Sequence, residues 1–287
     1  MFFNKYRNNY LFLIYLIYSK YKMGNTEPKI KEILPLIESS IKKGNVNIIS
    51  FALKLISNIK KIKSENDFKK LVEEKLSNKE IYFIRHAESL HNVLEVKYRY
   101  EEMSKWNVLD PKLTEKGIGQ TNKTIQKIKE SGINFQSVFV SPLSRTMQTF
   151  FLIEKVLNKD TEIIITDFAR EIFVGLDKNR GKKLSLLKEE NKNTKLNFEY
   201  MTKEYWWYDS GKEKDDDEDE GYERFQLRLC LFALWITFRP EKYILIVSHS
   251  HVFIGMQNSY GIHNADMVKM NNKDLLSIIN NLMEFEG

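Results

Sequence analysis

The stretch EIYFIRHAESLHN, residues 80–92, decides how the chain is read. Residues 81–84 are apolar at every position and made of β-branched and aromatic side chains, the pattern of a strand covered on both faces. Arg85 and His86 follow at once, so the turn after this strand delivers charged and ionisable groups to one sheet edge. Three more short runs of the same kind lie at 137–140, 162–165 and 243–247. Residues 114–131, 142–158 and 222–238, which lie between them, read as helices. Strand and helix alternation predicts a three-layer α/β/α domain over residues 80–287 with a mostly parallel central sheet. Ligands of such sheets bind beyond the carboxyl ends of the strands.

Upstream the pattern differs. Ile30, Ile33, Leu34, Ile37 and Ile41 recur at helical spacing, as do Ile49, Ala52, Leu53 and Ile56, so residues 24–79 read as a helical extension that caps the following domain. Residues 1–23 form an apolar and basic segment, either disordered or targeting, with an apolar run at 10–18. Nine residues fall short of the roughly 20 needed to cross a bilayer, and no small-residue cleavage site follows. Membrane association is left open. A start at Met23 would expose Gly24, but Pro28 stands where a myristoylation signal wants Ser or Thr.

Residues 1–79 carry 16 Lys and Arg against 7 Asp and Glu, so the remainder is net acidic although the whole chain is +6. Beyond Tyr21 only Phe51 and Phe68 are aromatic among the residues of this basic excess, too few for aromatic interleaving, which argues against a nucleic-acid partner. Cys230 is the only cysteine and sits in an apolar run, so no intramolecular disulfide forms and a reducing, cytoplasmic compartment is expected. The charge run KEKDDDEDE, 212–220, reads as a solvated loop.

Three motifs carry chemistry. Arg85-His86-Ala87-Glu88-Ser89 and Asn92 follow the first strand, Ser141-Pro142-Leu143-Ser144-Arg145-Thr146 the second, and Ser248-His249-Ser250-His251 the last. Two arginines and two histidines thus converge on one sheet edge, where backbone N–H groups also point outward, and such a cluster is an anion pocket. Arginine forks match phosphate oxygens. A neutral imidazole is a competent nucleophile near neutral pH, and a second, protonated histidine would donate to a phosphoryl oxygen.

RHAESLHN, SPLSRTMQT and VSHS, in that order and each at a strand end, resemble the three signatures of the histidine phosphatase superfamily, the phosphoglycerate-mutase-like proteins. The resemblance covers approximately residues 80–260 and is nearest in flavour to the fungal and plant phosphoglycerate-mutase-like proteins. It implies that His86 becomes phosphorylated, that Arg85, Arg145, Asn92, Ser89 and His249 bind phosphate, and that His249 also takes part in catalysis. Ala169-Arg170-Glu171, with Gly175 beyond, resembles the segment carrying the general acid, which makes Glu171 the candidate. Leu113-Thr114-Glu115-Lys116-Gly117 resembles the family's helix opening. The implied activity is hydrolysis of phosphomonoesters without metal or other cofactor. The substrate would be a phosphorylated small molecule or, alternatively, a phosphoprotein. Glu171 would need a raised pKa to act as an acid near neutral pH.

The sequence departs from the family at Ala87, where glycine is commoner, and at His251, whose ring either faces solvent or contacts substrate. His91 and Val174 replace a tryptophan and a tyrosine usual in the mutases, favouring a phosphatase over a phosphoglycerate mutase. A catalytically weak scaffold is a third reading. His249-x-His251 could suggest a metal pair, yet zinc wants further ligands. His91 and His263 are expected on the surface and Glu88 in an exposed loop. Trp206 and Trp207, with Phe198 and Tyr205, are expected to pack a lid or core edge.

Overall fold

The protein was analysed as a computed structural model that describes residues 65–98, 102–201, 203–207 and 220–281. The apolar run at 10–18, the extension as far as residue 64 and all of the acidic run except Glu220 lie outside them. In chain order the described elements are α1 (Glu65–Ser77), β1 (Glu80–Arg85), α2 (Leu90–Lys97), α3 (Met103–Trp106), α4 (Glu115–Ser131), β2 (Ser137–Val140), α5 (Ser144–Glu154) and β3 (Glu162–Ile165). They continue with α6 (Leu184–Glu190), β4 (Leu196–Asn197), α7 (Tyr222–Thr237), β5 (Tyr243–Ser248), α8 (Ser250–Gln257), β6 (Met267–Lys269) and α9 (Asn272–Asn281). Single 3-10 turns at Asp167–Ala169 and Asp177–Asn179 interrupt the chain after β3.

The sheet order is β4-β3-β2-β5-β1-β6, parallel throughout except for the β1/β6 pair. Both edge strands escape a reading by apolar runs: β4 has two residues and β6 three, and neither is fully buried. The four inner strands coincide with the predicted ones.

Alternation along those strands supplies two cores. Ile84, Val138, Val140, Ile163, Ile165, Leu245 and Val247 join one buried cluster with Ile125 and Ile128 of α4 and Met147 and Phe150 of α5. Their sequence neighbours point the other way. Phe83 meets Phe253 of α8 with ring centroids 5.1 Å apart, and Phe139 lies edge-on to Phe232 and Trp235 of α7 at 5.6 and 5.0 Å. Each such aromatic pair contributes about 0.5–1.5 kcal/mol beyond its buried area. Strands buried on both faces are what a three-layer α/β/α arrangement requires, and the expected fold class is observed.

Helix ends follow the sequence closely. Thr114 caps α4 by accepting from the Gly117 N–H at 2.9 Å, and Gly132 ends it in the left-handed region at φ 61°. No helix of the described residues is long and apolar enough to cross a membrane. Trp206, Trp207 and Phe198 are buried in the α4/α5-side cluster, with Tyr205 partly buried against it, so the aromatic group packs a core edge as expected.

Candidate active site

Because β5 is inserted between β1 and β2, the three motif-bearing strand ends are neighbours at the centre of the sheet. β1 ends in Arg85 and runs into His86, β2 leads through Ser141 to Arg145, and β5 leads to His249. The segment after β3 brings Glu171. Arg85, His86, Arg145, Glu171 and His249 thereby occupy one pocket: the His86 and His249 rings are 5.2 Å apart, and both guanidiniums lie in the field of the Glu171 carboxylate.

His86 is buried, and its position is held from several sides. Its N–H donates to Ser248 O at 2.9 Å, and its carbonyl accepts from Asn264 Nδ2 at 2.9 Å. The ring nitrogen Nδ1 lies 2.8 Å from Ala87 O. A carbonyl can only accept, so Nδ1 carries the hydrogen and Nε2 keeps its lone pair. Burial, then the Arg145 charge, holds the His86 pKa well below the ordinary histidine value despite the opposing Ala87 hydrogen bond. The ring is neutral at physiological pH.

Arg145 is also buried. Its Nη1 donates to Lys178 O at 2.6 Å and Nη2 to Asn179 Oδ1 at 2.9 Å, while Asn179 Nδ2 donates to Ile172 O at 2.8 Å. Burial lowers its pKa to about 10, with the Glu171 charge opposing, so it stays cationic. Arg85 Nη1 donates to Ile262 O at 2.9 Å. Arg85 Nε, Arg145 Nε and His249 Nδ1 are buried without a hydrogen-bond partner among the described residues. Two orphan guanidinium N–H donors beside an unpartnered imidazole nitrogen in one pocket call for an anion.

His249 could serve as a cationic donor only if protonated. Burial first, then the Arg145 charge, keeps its pKa well below the ordinary value, so the ring is neutral, and Nε2 pairs with Ser141 Oγ at 2.8 Å.

Glu171 does not show the raised pKa that its expected acid role requires. Burial pushes its carboxyl up, but the His251 hydrogen bond and charge, the Arg145 charge and the Ile172 N–H together outweigh burial and leave it below the usual range. His251 Nδ1 sits 3.2 Å from Glu171 Oε2. The uncertain ring therefore faces the carboxylate, although its side chain is 63% exposed.

His91, expected on the surface, is buried with its ring centroid 5.9 Å from that of His86. It belongs to a closed ring of hydrogen bonds. Asn92 Nδ2 donates to His91 Nε2 at 3.2 Å, His91 Nδ1 donates to Ser89 Oγ at 2.7 Å, and Ser89 Oγ donates to Asn92 Oδ1 at 3.1 Å. Ser89, expected to bind phosphate, is instead fully buried as the N-cap residue of α2 with its hydroxyl engaged in this ring. Asn92 keeps a second amide hydrogen. His263 is exposed, as predicted.

Glu88 is a loop clamp, its Oε1 accepting from Thr114 Oγ1 at 2.9 Å and its Oε2 pairing with Lys116 at 2.7 Å. A Cβ on Gly117 would lie 2.0 Å from Glu88 O, so glycine is what allows α4 to approach this loop. Asn264 and Ile262, in the loop before β6, were not foreseen; only the structure brings that loop beneath Arg85 and His86.

Glu220 overturns part of the charge-run reading. It is buried, accepting from Arg170 Nη2 at 2.9 Å, Arg228 Nε at 2.6 Å and Arg228 Nη2 at 2.8 Å. Among the described residues no group of three or more His, Cys, Asp or Glu is placed to hold a metal ion.

The family model of the histidine phosphatase superfamily (branch 1) matches residues 81–278. Among solved structures, the chain is similar to a putative alpha-ribazole-5'-P phosphatase from Escherichia coli at 21% identity, covering 66% of this chain and 88% of that one with TM-score 0.42. A phosphoserine phosphatase from Entamoeba histolytica in complex with 3-phosphoglyceric acid is 20% identical over 67% and 89% of the two chains, TM-score 0.40. A phosphoglycerate mutase from Thermus thermophilus is 18% identical over 66% and 91%, TM-score 0.38. No curated protein matches the chain at a significant level. With the family model matched from β1 into α9, across every strand end that supplies the pocket, the chain belongs to the histidine phosphatase superfamily.

Proposed function

We propose that the protein is a phosphatase that hydrolyses phosphomonoesters without a metal ion, through a phosphohistidine on His86. The observation that carries this reading is the unprotonated Nε2 of a buried, neutral His86 beside a fully buried Arg145 and a second histidine. In the first step His86 Nε2 attacks phosphorus in line. Arg85, Arg145 and an Asn92 amide hydrogen hold the equatorial oxygens, and His249 Nδ1 donates to one of them. A dianionic phosphate raises the histidine pKa by direct attraction, so His249 becomes a cation when substrate arrives. Glu171 protonates the leaving oxygen, then deprotonates the water that attacks the phosphohistidine.

The two guanidiniums supply the positive charge that metal ions provide in other phosphoryl-transfer sites. A phosphorylated small molecule is the favoured substrate class, with a phosphoprotein as alternative.

The test is phosphate release from 4-nitrophenyl phosphate by the full chain in the presence of a chelator. Turnover is expected, with a phosphoenzyme that is stable to alkali and labile to acid, and His86→Ala is expected to abolish both. Strict dependence on added divalent metal, or turnover by His86→Ala, would overturn the reading. Interconversion of 3- and 2-phosphoglycerate faster than phosphate release would make the protein a mutase.

A further inference from the structure

We propose that His251 and Glu171 work as one proton-carrying pair, in which the exposed imidazole holds the proton that the buried carboxylate passes to the leaving oxygen. The inference rests on the phosphatase reading and concerns how its acid step is supplied.

The geometry is specific. His251 Nδ1 lies 3.2 Å from Glu171 Oε2, while Oε1 of the same carboxylate accepts from the Ile172 N–H at 3.0 Å. The pair spans the wall of the pocket, since the Glu171 side chain is 11% exposed and that of His251 63%. His251 is the second residue of α8, two positions beyond His249, so the element that brings the phosphate-facing histidine also fixes this one. The charged groups facing His251 are Glu171 from the segment after β3, Lys178 from the second 3-10 turn and Arg85 from β1. The hydrogen bond and charge of Glu171 outweigh burial and both cations, keeping the imidazole protonated to higher pH than an ordinary histidine. Glu171 alone, held low, would be a poor acid.

Atoms balance through both steps. As the His86 Nε2–P bond forms and the P–O bond breaks, the proton on His251 Nδ1 passes to the Glu171 carboxylate and from it to the leaving oxygen, so Glu171 ends the step ionised as it began. The imidazolium becomes neutral imidazole. In the second step a water proton returns through Glu171 to His251 Nδ1, the hydroxide oxygen bonds phosphorus, and the N–P electron pair returns to His86. His251 acts through Glu171 and is a positioning and proton-holding residue.

The test compares an aryl ester, 4-nitrophenyl phosphate, whose leaving group needs no proton, with an alkyl ester, glycerol phosphate, whose leaving group does. In His251→Asn the amide nitrogen replaces Nδ1 as a donor but cannot release a proton; His251→Ala removes both properties. Both variants are expected to lower the alkyl-to-aryl ratio of kcat/KM by about 100-fold, the lower range of general acid catalysis. The alkaline limb of the wild-type alkyl profile should disappear with them. An unchanged ratio, full rescue by asparagine, or an unmoved alkaline limb would overturn the pair. If the wild type forms no phosphohistidine from either ester, the phosphatase reading fails first, an outcome distinct from failure of the pair alone.

Discussion

Glu220 and Arg228 make a two-point pair, Nε to Oε1 at 2.6 Å and Nη2 to Oε2 at 2.8 Å, next to the segment that carries Glu171. The same guanidinium donates through Nη1 to Phe168 O and Arg170 O, and Glu220 Oε2 also accepts from the Phe173 N–H at 3.3 Å. Residues on both sides of Glu171 are thus tied to one buried ion pair. Arg228→Ala leaves Glu220 short of its main partner and is expected to cost about 3–5 kcal/mol. Arg228→Lys keeps the charge but cannot serve both carboxylate oxygens and two carbonyls, so an intermediate loss is expected. Thermal denaturation reads both. A kcat/KM for alkyl phosphates that falls further than stability explains would place the pair in the support of Glu171.

The same carboxyl sets an acid limit to stability. Burial alone would raise its pKa, but the charges of Arg170 and Arg228 and the hydrogen bonds it accepts bring it from 4.5 to about 2. A group depressed in the folded state stabilises fully above its unfolded value and loses that contribution as pH falls through the folded one. The contribution is about 3 kcal/mol, present above about pH 4.5 and gone near pH 2. Glu220→Gln removes this term. Its Tm is expected to lie roughly 6 to 12 °C below wild type at neutral pH, with the gap closing as pH approaches 2. A gap that persists at pH 2 would assign the loss to packing instead of charge.

Much of this arrangement was legible beforehand. The inner strands announce themselves because residues such as Ile84 and Phe83 face opposite cores, leaving no polar position in the run. Arg85, His86, Arg145 and His249 were readable because each lies at a strand end, or in the turn and first helical residues just beyond it, where the sheet must present them to a ligand. His91 was not, since one histidine in a short helix looks the same whether it faces solvent or His86, and only the Ser89-Asn92 ring decides. Glu220 was hidden for a related reason: it ends an acidic run, and what separates it from its neighbours is a pair of arginines 50 and 8 residues away. The depressed Glu171 reflects His251, a contact between the segment after β3 and the start of α8 that no local pattern records.

Gly117 tests the loop that follows His86. Its missing side chain lets Glu88 O approach to where a Cβ would sit at 2.0 Å, and Glu88 is otherwise fixed by Thr114 and by Gln120, whose Oε1 accepts from the Glu88 N–H at 2.9 Å. Gly117→Ala must displace either α4 or the 86–89 turn. A loss of about 1–3 kcal/mol is expected from overpacking, although alanine is the better helix former. Turnover should fall as well, because Ala87 N–H donates to Thr149 Oγ1 and a shifted turn carries the His86 ring with it. Unchanged stability with unchanged kcat/KM would mean that the turn is slack.

Arg145 separates charge from geometry in the pocket itself. The side chain is buried and two of its nitrogens are committed to Lys178 O and Asn179 Oδ1, which leaves Nε and the remaining hydrogens for an anion. Arg145→Lys retains a cation but loses the planar fork, and one ammonium cannot hold both protein acceptors while reaching phosphate. Turnover of 4-nitrophenyl phosphate is expected to fall roughly 10²–10³-fold, the effect of removing one preorganised donor. Because the fork serves the transition state more than the ground state, kcat should carry most of that loss and KM little. The variant also bears on His86. Arg145 is the leading charge that depresses the His86 pKa. A lysine that moves its charge away from the ring lets the pKa rise, and the acid limb of kcat/KM should shift to higher pH. Loss confined to KM, with the acid limb unmoved, would show Arg145 to be a substrate anchor remote from the reacting phosphorus.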